Sequence, residues 1–512
     1  MRGNSRPGHY LAAHGQALGL LAVLTFTLLA RLPELGRSPF YEDEAISLRA
    51  IEGLLERGVP TLPSGAQYLR SPLHLLLLTP AVALFGGHSP WVRLPSLLLF
   101  LLTLLLSYQY LSRLRDGPTA LGAVLLLCGL HSQSEVALSV RMYAVLQTST
   151  LLALYLHQRF LDERTVRLRR AWFLSLLALV ASHELGLLTA VTLFVHASYQ
   201  QVREGHLDRS FLLSSLLVAA LTLVCWFPPL PSLLLEVTTH STRQTPALAL
   251  VTSFQDPTLS EYPRLLAACL PWLWPFSLLG GLCAIRPARA HLRPLAAVTG
   301  INLLALSLLA FKTSRYATVL VPLVAALAVL GLSEALCFLL FLLRRLFPGG
   351  CTVKAERLGS RVGFVLLALW FPFAAHLPDS PVQFGVDRPD LAPAHRYLAD
   401  RRKASEPVVT SNSWMTQHYL GDFDFFLRQR YRHPEGWGPF PVAREEYYDR
   451  PVLDTIEEWF DLLRRHPKVW LLADDKLREY TSPAMLEVLD RTCVKVFHGQ
   501  HAAGTEVFQC KQ

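Results

Sequence analysis

The sequence predicts an α-helical polytopic membrane protein with a small α/β soluble domain at its C-terminal end. Three observations predict it. Leucine- and phenylalanine-rich runs recur from residue 16 to residue 377, charge is scarce, and the composition changes abruptly after Pro378. Of 512 residues, 52% are hydrophobic and only 17% charged, against roughly 25% charged in soluble domains. A soluble core does not absorb so many apolar stretches in succession. A stretch of about 20 apolar residues does cross the roughly 30 Å of a bilayer's hydrocarbon.

Taken in order, Arg2 and Arg6 precede an apolar stretch from Leu18 to Ala30 that no small-residue cleavage site follows. It reads as a first membrane helix and not as a signal peptide. Spans are expected near 16–32, 91–112, 118–136, 141–158, 171–183, 185–200, 211–229, 263–285, 294–311, 316–341 and 361–377. The pair 171–183 and 185–200 shares a tight turn at Ser182-His183-Glu184. A further apolar stretch, Leu73 to Phe85, is short and contains Pro80. Charge decides whether it crosses, because cytoplasmic loops collect arginine and lysine. Leaving it in the interface puts Arg113 and Arg115, Arg159 to Arg170, Arg203 and Arg209, Arg286 to Arg293, and Arg344 to Arg361 on one side. Letting it cross would move every one of those clusters outside.

The expected architecture is therefore about eleven crossings in residues 1–377, with a first outer loop over about 33–90. The N-terminus is cytoplasmic, and residues 378–512 form an extracytoplasmic domain. This describes a multi-pass protein of the cell's inner (cytoplasmic) membrane. In the C-terminal part, Pro378 to Pro393 reads as a linker. A helix (Ala392 to Arg402), a strand (Pro407 to Ser411), a helix (Asp454 to Arg465), a strand (Val469 to Ala473), a helix (Pro483 to Leu489) and a hairpin follow, the alternation of an α/β domain. In the hairpin, Cys493 and Cys510 can face each other as a disulfide candidate in an oxidising compartment, with two free thiols as the alternative.

The net charge of +9 is mostly arginine and reads as anchoring. No basic stripe with interleaved aromatics points to nucleic acid, and no cysteine or histidine spacing points to zinc. Charged groups beside spanning helices are expensive and mark candidate functional residues. On this topology they gather at the outer boundary: Glu42, Asp43, Glu44, Arg49 and Arg70 in the first loop, then Glu135 and Arg141, His183 and Glu184, Lys312 and Arg315. Each alone has an ordinary reading. Arg141 snorkels to headgroups, Lys312 and Arg315 anchor an interface, His183 ends a helix, and the three carboxylates favour a helix N-terminus. Their convergence on one face suits a reaction that deprotonates a nucleophile beside an anionic leaving group.

The order of several short motifs adds to this reading. Asp43-Glu44-Ala45 follows the first span, and Ser71-Pro72-Leu73 opens an apolar stretch that ends in Phe85-Gly86. Arg93-Leu94-Pro95-Ser96, Arg141-Met142-Tyr143-Ala144, Ser182-His183 and Arg315-Tyr316 with Pro322 come after it. Over about residues 16 to 340 the chain resembles the GT-C fold integral-membrane glycosyltransferases, in the bacterial branch related to protein O-mannosyltransferases and lipid A aminoarabinose transferase. The resemblance implies transfer of a sugar from a polyprenyl-phosphate donor to a glycan, lipid or protein acceptor at the outer face of the membrane, generally with inversion. It implies Asp43 as general base with Glu44 beside it, and Arg141, Lys312 and Arg315 on the donor phosphate, where Arg70 is a further candidate; Tyr316 falls in the same motif as Arg315.

One departure stands out: the family often shows His-Pro-Pro where this chain has Arg70-Ser71-Pro72. Arg70 replaces a histidine's bulk with charge and cannot ligate a metal. A divalent metal therefore stays open, with Asp43 and Glu44 as the ligands if there is one. The competing reading is a membrane transporter or flippase for a lipid-linked or anionic substrate. It would call for related halves or helices broken near the midplane, and no internal repeat is visible.

Overall fold

The computed structural model describes residues 7–68, 70–205, 209–226, 260–308, 314–346, 355–375, 390–428, 444–445, 448–474, 477–478, 481–498 and 505–512. Lys312 and most of the expected linker lie outside them.

The bundle comprises α1 (Pro7–Arg31), α2 (Glu42–Arg57), α3 (Pro72–Phe85), α4 (Leu94–Leu114), α5 (Gly117–Gly129), α6 (His131–Ala137), α7 (Tyr143–Glu163), α8 (Val166–Ser182), α9 (Glu184–Arg203), α10 (Arg209–Trp226), α11 (Glu261–Cys269), α12 (Trp274–Cys283), α13 (Arg293–Leu308), α14 (Ser314–Leu346) and α15 (Ala355–Ala375). Each of the eleven expected intervals is helical where described, but two are broken. The interval 118–136 breaks at Leu130, whose ψ of 132° ends α5 before α6 starts. The interval 263–285 bends by 108° between α11 and α12. By length and hydropathy, four described helices suffice to cross alone, or five with the bent pair, and α3, α5, part of α10 and part of α15 are shorter apolar helices.

Packing inside the bundle follows small residues. At the crossing of α12 and α14, a Cβ on Gly280 would fall onto the carbonyl of Leu327, and one on Gly331 onto that of Phe276. The two backbones touch only because both positions lack side chains, the close approach typical of membrane helix pairs. In α3, His74, Leu75, Leu78, Ala81 and Val82 are buried while Leu76, Leu77, Leu84 and Phe85 face outward. That split suits a helix lying on the bundle with one side towards lipid.

The C-terminal part contains α16 (Ala392–Arg401), β1 (Val408–Thr410), α17 (Ser413–Leu420), β2 (Phe425–Leu427), β3 (Val452–Leu453), α18 (Ile456–Arg465), β4 (Val469–Ala473), α19 (Pro483–Thr492), β5 (Cys493–Phe497) and β6 (Glu506–Cys510). They form one sheet in the order β3-β2-β1-β4-β6-β5. The first four strands are parallel, and β6 and β5 are antiparallel additions. Helices cover both faces, so alternate residues of β4 go to opposite cores. Val469, Leu471 and Ala473 meet Trp459, Leu462 and Met485, while Trp470 and Leu472 meet Leu398 and Trp414. Cys493 lies opposite Cys510, and the two are joined by a disulfide. Among the described residues of this part, α17, β2 and β3 are not expected from the sequence, and the two strands are too short to carry a period.

This domain rests directly on the segment between α1 and α4. Met415 of α17 and Leu391 share a core with Phe40, Leu48, Ile51, Leu75 and Val140. The Phe40 N–H donates to the Tyr419 hydroxyl at 3.2 Å, and the Arg49 guanidinium to the Gln417 carbonyl at 3.4 Å. His418 packs between Phe40 and His88, with ring centroids 4.9 and 4.7 Å away. Burial, with help from His88 and Arg49, pushes its pKa down to about 3, so the docked ring is neutral. The undocked ring titrates near the ordinary value of about 6.5. The docked state therefore binds fewer protons, and its advantage, complete above pH 6.5, is lost as pH falls towards 3. At pH 5 the loss from this histidine is about 2 kcal/mol. Hydrogen exchange in α17 should be roughly tenfold or more faster at pH 5 than at pH 7 after correction for intrinsic rates. Equal protection at the two pH values would rule this out.

Candidate functional site

Three adjacent carboxylates open α2, and the helix period turns each to a different partner. Glu42 points to the C-terminal domain, where the Asn412 side-chain amide donates to it at 2.5 Å and to Asp474 at 2.7 Å. Glu44 points into the protein. Its carboxylate takes a two-pronged contact from Arg93, at 3.0 and 2.9 Å, and the N–H groups of Val140 at 2.8 Å and Tyr41 at 3.0 Å. Arg93 spends its remaining donors on the carbonyls of Leu35, Ser38 and Pro39, and the side chains of the pair are 0% and 1% exposed. Glu44 is thus saturated and sealed, and the structure does not bring it to the open cluster beside Asp43. Its work is to fix the turn.

Asp43, a quarter exposed, lies between two guanidinium groups. Arg141 is 3.6 Å from Oδ2 and also donates to the Asp43 carbonyl at 2.9 Å. Arg315, from the first turn of α14, pairs with the same Oδ2. Aromatic faces support both cations: Arg315 stands 4.8 Å from the Tyr41 ring centre and Arg141 5.7 Å from that of Tyr143, the geometry of cation–π attraction.

His183 completes one wall. Its Nδ1 accepts the Leu185 N–H at 3.1 Å and so caps α9. The Glu184 carboxylate lies 3.1 Å from that nitrogen, and the ring is 6.0 Å from both Tyr143 and Tyr316. Arg70 is exposed and, like Arg141, within electrostatic range of His183. Asp43, Arg141, Arg315, His183, Tyr316 and Arg70 therefore come together as the sequence led one to expect. Glu135 does not join them: it lies near Cys269, at the end of α11. Lys312 is outside the described residues.

Sequence reasoning passed over several neighbours. Ser71, between Arg70 and Pro72, holds φ at +52°, a strained conformation of the kind found at functional sites. His74 is 2% exposed, hydrogen-bonds the Val140 backbone and lies close to Arg141. Among the described residues its Nε2 has no hydrogen-bond partner. A histidine inside an apolar run was the available signal.

The donor set does not fit a divalent cation. Two guanidinium groups face Asp43, Glu44 is committed to Arg93, and no group of three or more potential metal-ligating side chains occurs among the described residues.

Compared with known proteins, no protein-family model matches the chain and no curated protein does. Solved structures do. ArnT from Cupriavidus metallidurans in the apo state superposes with a TM-score of 0.60 at 16% identity, covering 97% of this chain and 98% of that one. The same protein bound to undecaprenyl phosphate gives 0.56 at 15% identity, with 98% of each chain covered. An oligosaccharyltransferase from Archaeoglobus fulgidus, in complex with zinc and sulfate, gives 0.51 at 12% identity over 90% of this chain and 68% of that one. At such identities the likeness shows the fold. This chain has the GT-C fold of integral-membrane glycosyltransferases.

Proposed function

We propose that this chain is a glycosyltransferase that moves a sugar from a polyprenyl-phosphate donor to a glycan, lipid or protein acceptor at the outer face of the inner membrane. The observation that carries the reading is the Asp43 carboxylate held between Arg141 and Arg315 at one end of a GT-C bundle. A sugar hydroxyl is a poor nucleophile, and a carboxylate within hydrogen-bond reach takes its proton as it attacks. Here the acceptor oxygen bonds to the anomeric carbon while the bond to the phosphate oxygen breaks and the phosphate leaves with the electron pair. The proton goes to Asp43, and the anomeric centre inverts. Arg141 and Arg315, with Arg70 at the exposed edge, meet the charge that grows on the leaving phosphate.

The pairing of Asp43 with two arginines also orders the steps. A donor phosphate competes for the same guanidinium groups, and as it takes them the carboxylate is released to act as a base. That a structural neighbour binds undecaprenyl phosphate supports a polyprenyl carrier. The orientation, with the C-terminal domain outside, rests on the distribution of arginine between loops. The broken intervals 118–136 and 263–285 are a feature that a transporter would also show, but the Asp43 cluster between Arg141 and Arg315 favours transfer chemistry.

Mass spectrometry of envelope glycans and of polyprenyl-linked sugars, with and without the protein, tests the reading. Loss of the protein should remove one glycan modification and raise the pool of one lipid-linked sugar. Identical profiles would end the proposal.

A further inference from the structure

Pro322 lies inside α14. Having no N–H, it leaves the carbonyl four residues earlier, that of Thr318, without its helical partner. Two side chains from other helices fill the gap. Gln147 of α7 donates to the Thr318 carbonyl at 2.7 Å and Gln133 of α6 donates at 3.3 Å. Both glutamines are buried, at 1% and 0% exposure, and the Oε1 of each has no hydrogen-bond partner among the described residues. Turning either amide over would set oxygen against oxygen, so the donors face the carbonyl for a physical reason. Two buried acceptors left unsatisfied are an expense that apolar residues would avoid. The glutamines are held here for their N–H groups.

The carbonyl they grip belongs to the turn that carries Arg315. The Thr318 hydroxyl donates to the Arg315 carbonyl at 2.6 Å, and Arg315 reaches Asp43. Gln133 and Gln147 also flank the segment whose Val140 N–H holds Glu44 and whose Arg141 holds the Asp43 carbonyl. One stretch of chain, from residue 133 to residue 147, thereby fastens the first turn of α2 and the first turn of α14. We propose that Gln133 and Gln147 are positioning residues: by clamping the carbonyl that Pro322 frees, they set the register of α14 against α2 and hold Arg315 at the donor phosphate. The inference rests on the reading of Arg141 and Arg315 as phosphate-binding groups and adds to it the device that keeps one of them in place.

The test measures the affinity of the full-length purified protein for undecaprenyl phosphate in detergent micelles. Gln133→Leu with Gln147→Leu should weaken binding at least fivefold, and Arg315→Ala at least as much. Combining all three should be no worse than Arg315→Ala alone, since the glutamines act through Arg315. In a Pro322→Ala background the residue-322 N–H satisfies Thr318, and there the two leucine substitutions should change affinity less than twofold. That background also covers the case in which the leucine variant fails to accumulate.

Three results would overturn the clamp: leucine variants that bind like the parent, losses that add to that of Arg315→Ala, and losses undiminished by Pro322→Ala. Failure of the Pro322→Ala combination to accumulate would count against it as well, because the clamp would then have another task. Failure of the functional reading looks different: the unaltered protein would not bind undecaprenyl phosphate, or Arg315→Ala would bind it as well as the parent.

Discussion

Replacing Asp43 with asparagine is expected to lower the rate of sugar transfer about a thousandfold while leaving the protein folded. The size follows from the task. A positioned general base contributes roughly 10²–10⁴ in rate, and Asp43 is the carboxylate of the three that meets both guanidinium groups, Glu44 being sealed against Arg93 and Glu42 turned to Asn412. Asparagine keeps the shape and removes the charge. The consequence for binding has the opposite sign. Arg141 and Arg315 would no longer spend themselves on Asp43, and undecaprenyl phosphate should bind as tightly as before or more tightly. Fast transfer by the variant, measured as product formed per enzyme in membranes, would remove Asp43 from the chemistry. A rate and an affinity that fall together would make it a binding residue instead.

The second large effect concerns stability. Arg93→Ala should destabilise the protein by about 3–5 kcal/mol, because removing one partner of a buried ion pair strands the other charge. Here the stranded group is Glu44, at 1% exposure, and three loop carbonyls lose their donors as well. Glu44→Ala should cost a similar amount, freeing the Val140 and Tyr41 N–H groups along with Arg93. Replacing both partners at once, Arg93→Met with Glu44→Leu, should recover part of the loss, since the penalty lies in the unpaired charge. Thermal unfolding in detergent, read as remaining monodisperse protein, separates these cases. Unchanged midpoints in both single variants would mean that the pair does not hold the loop.

Much of the fold and of the site is legible in the sequence, for identifiable reasons. The distribution of arginine between loops is a property of the chain alone, and it suffices to gather Asp43, Arg141, His183 and Arg315 on one face. In the C-terminal domain, β4 shows itself as a short continuous apolar run and the hairpin by its two facing cysteines. What fails to show depends on direction. Asp43 and Glu44 are neighbours with the same chemistry, and only the helix turn sends one to solvent and the other to Arg93. Glu135 has the right charge and depth but lies towards α11. β2 and β3, at three and two residues, are too brief for alternation to register. Gln133 and Gln147 do leave a trace, as amides in apolar stretches with a proline in a later helix, but the link needs the fold to bring them together.

The seating of α17 against α2 has a consequence for how the protein comes into being. The turn bearing Asp43 is among the first parts of the chain to be made, yet Asn412, Met415 and Tyr419, which hold its surroundings, are made hundreds of residues later. Their own sheet closes only when β6, next to last in the strand order and last in the chain, slots between β4 and β5. A nascent or shortened chain would have the turn bearing Asp43 without the support of α17. On the proposed function, a chain cut short before β6 would therefore transfer little sugar even with its helices in the membrane, because the braces on the turn bearing Asp43 would be missing.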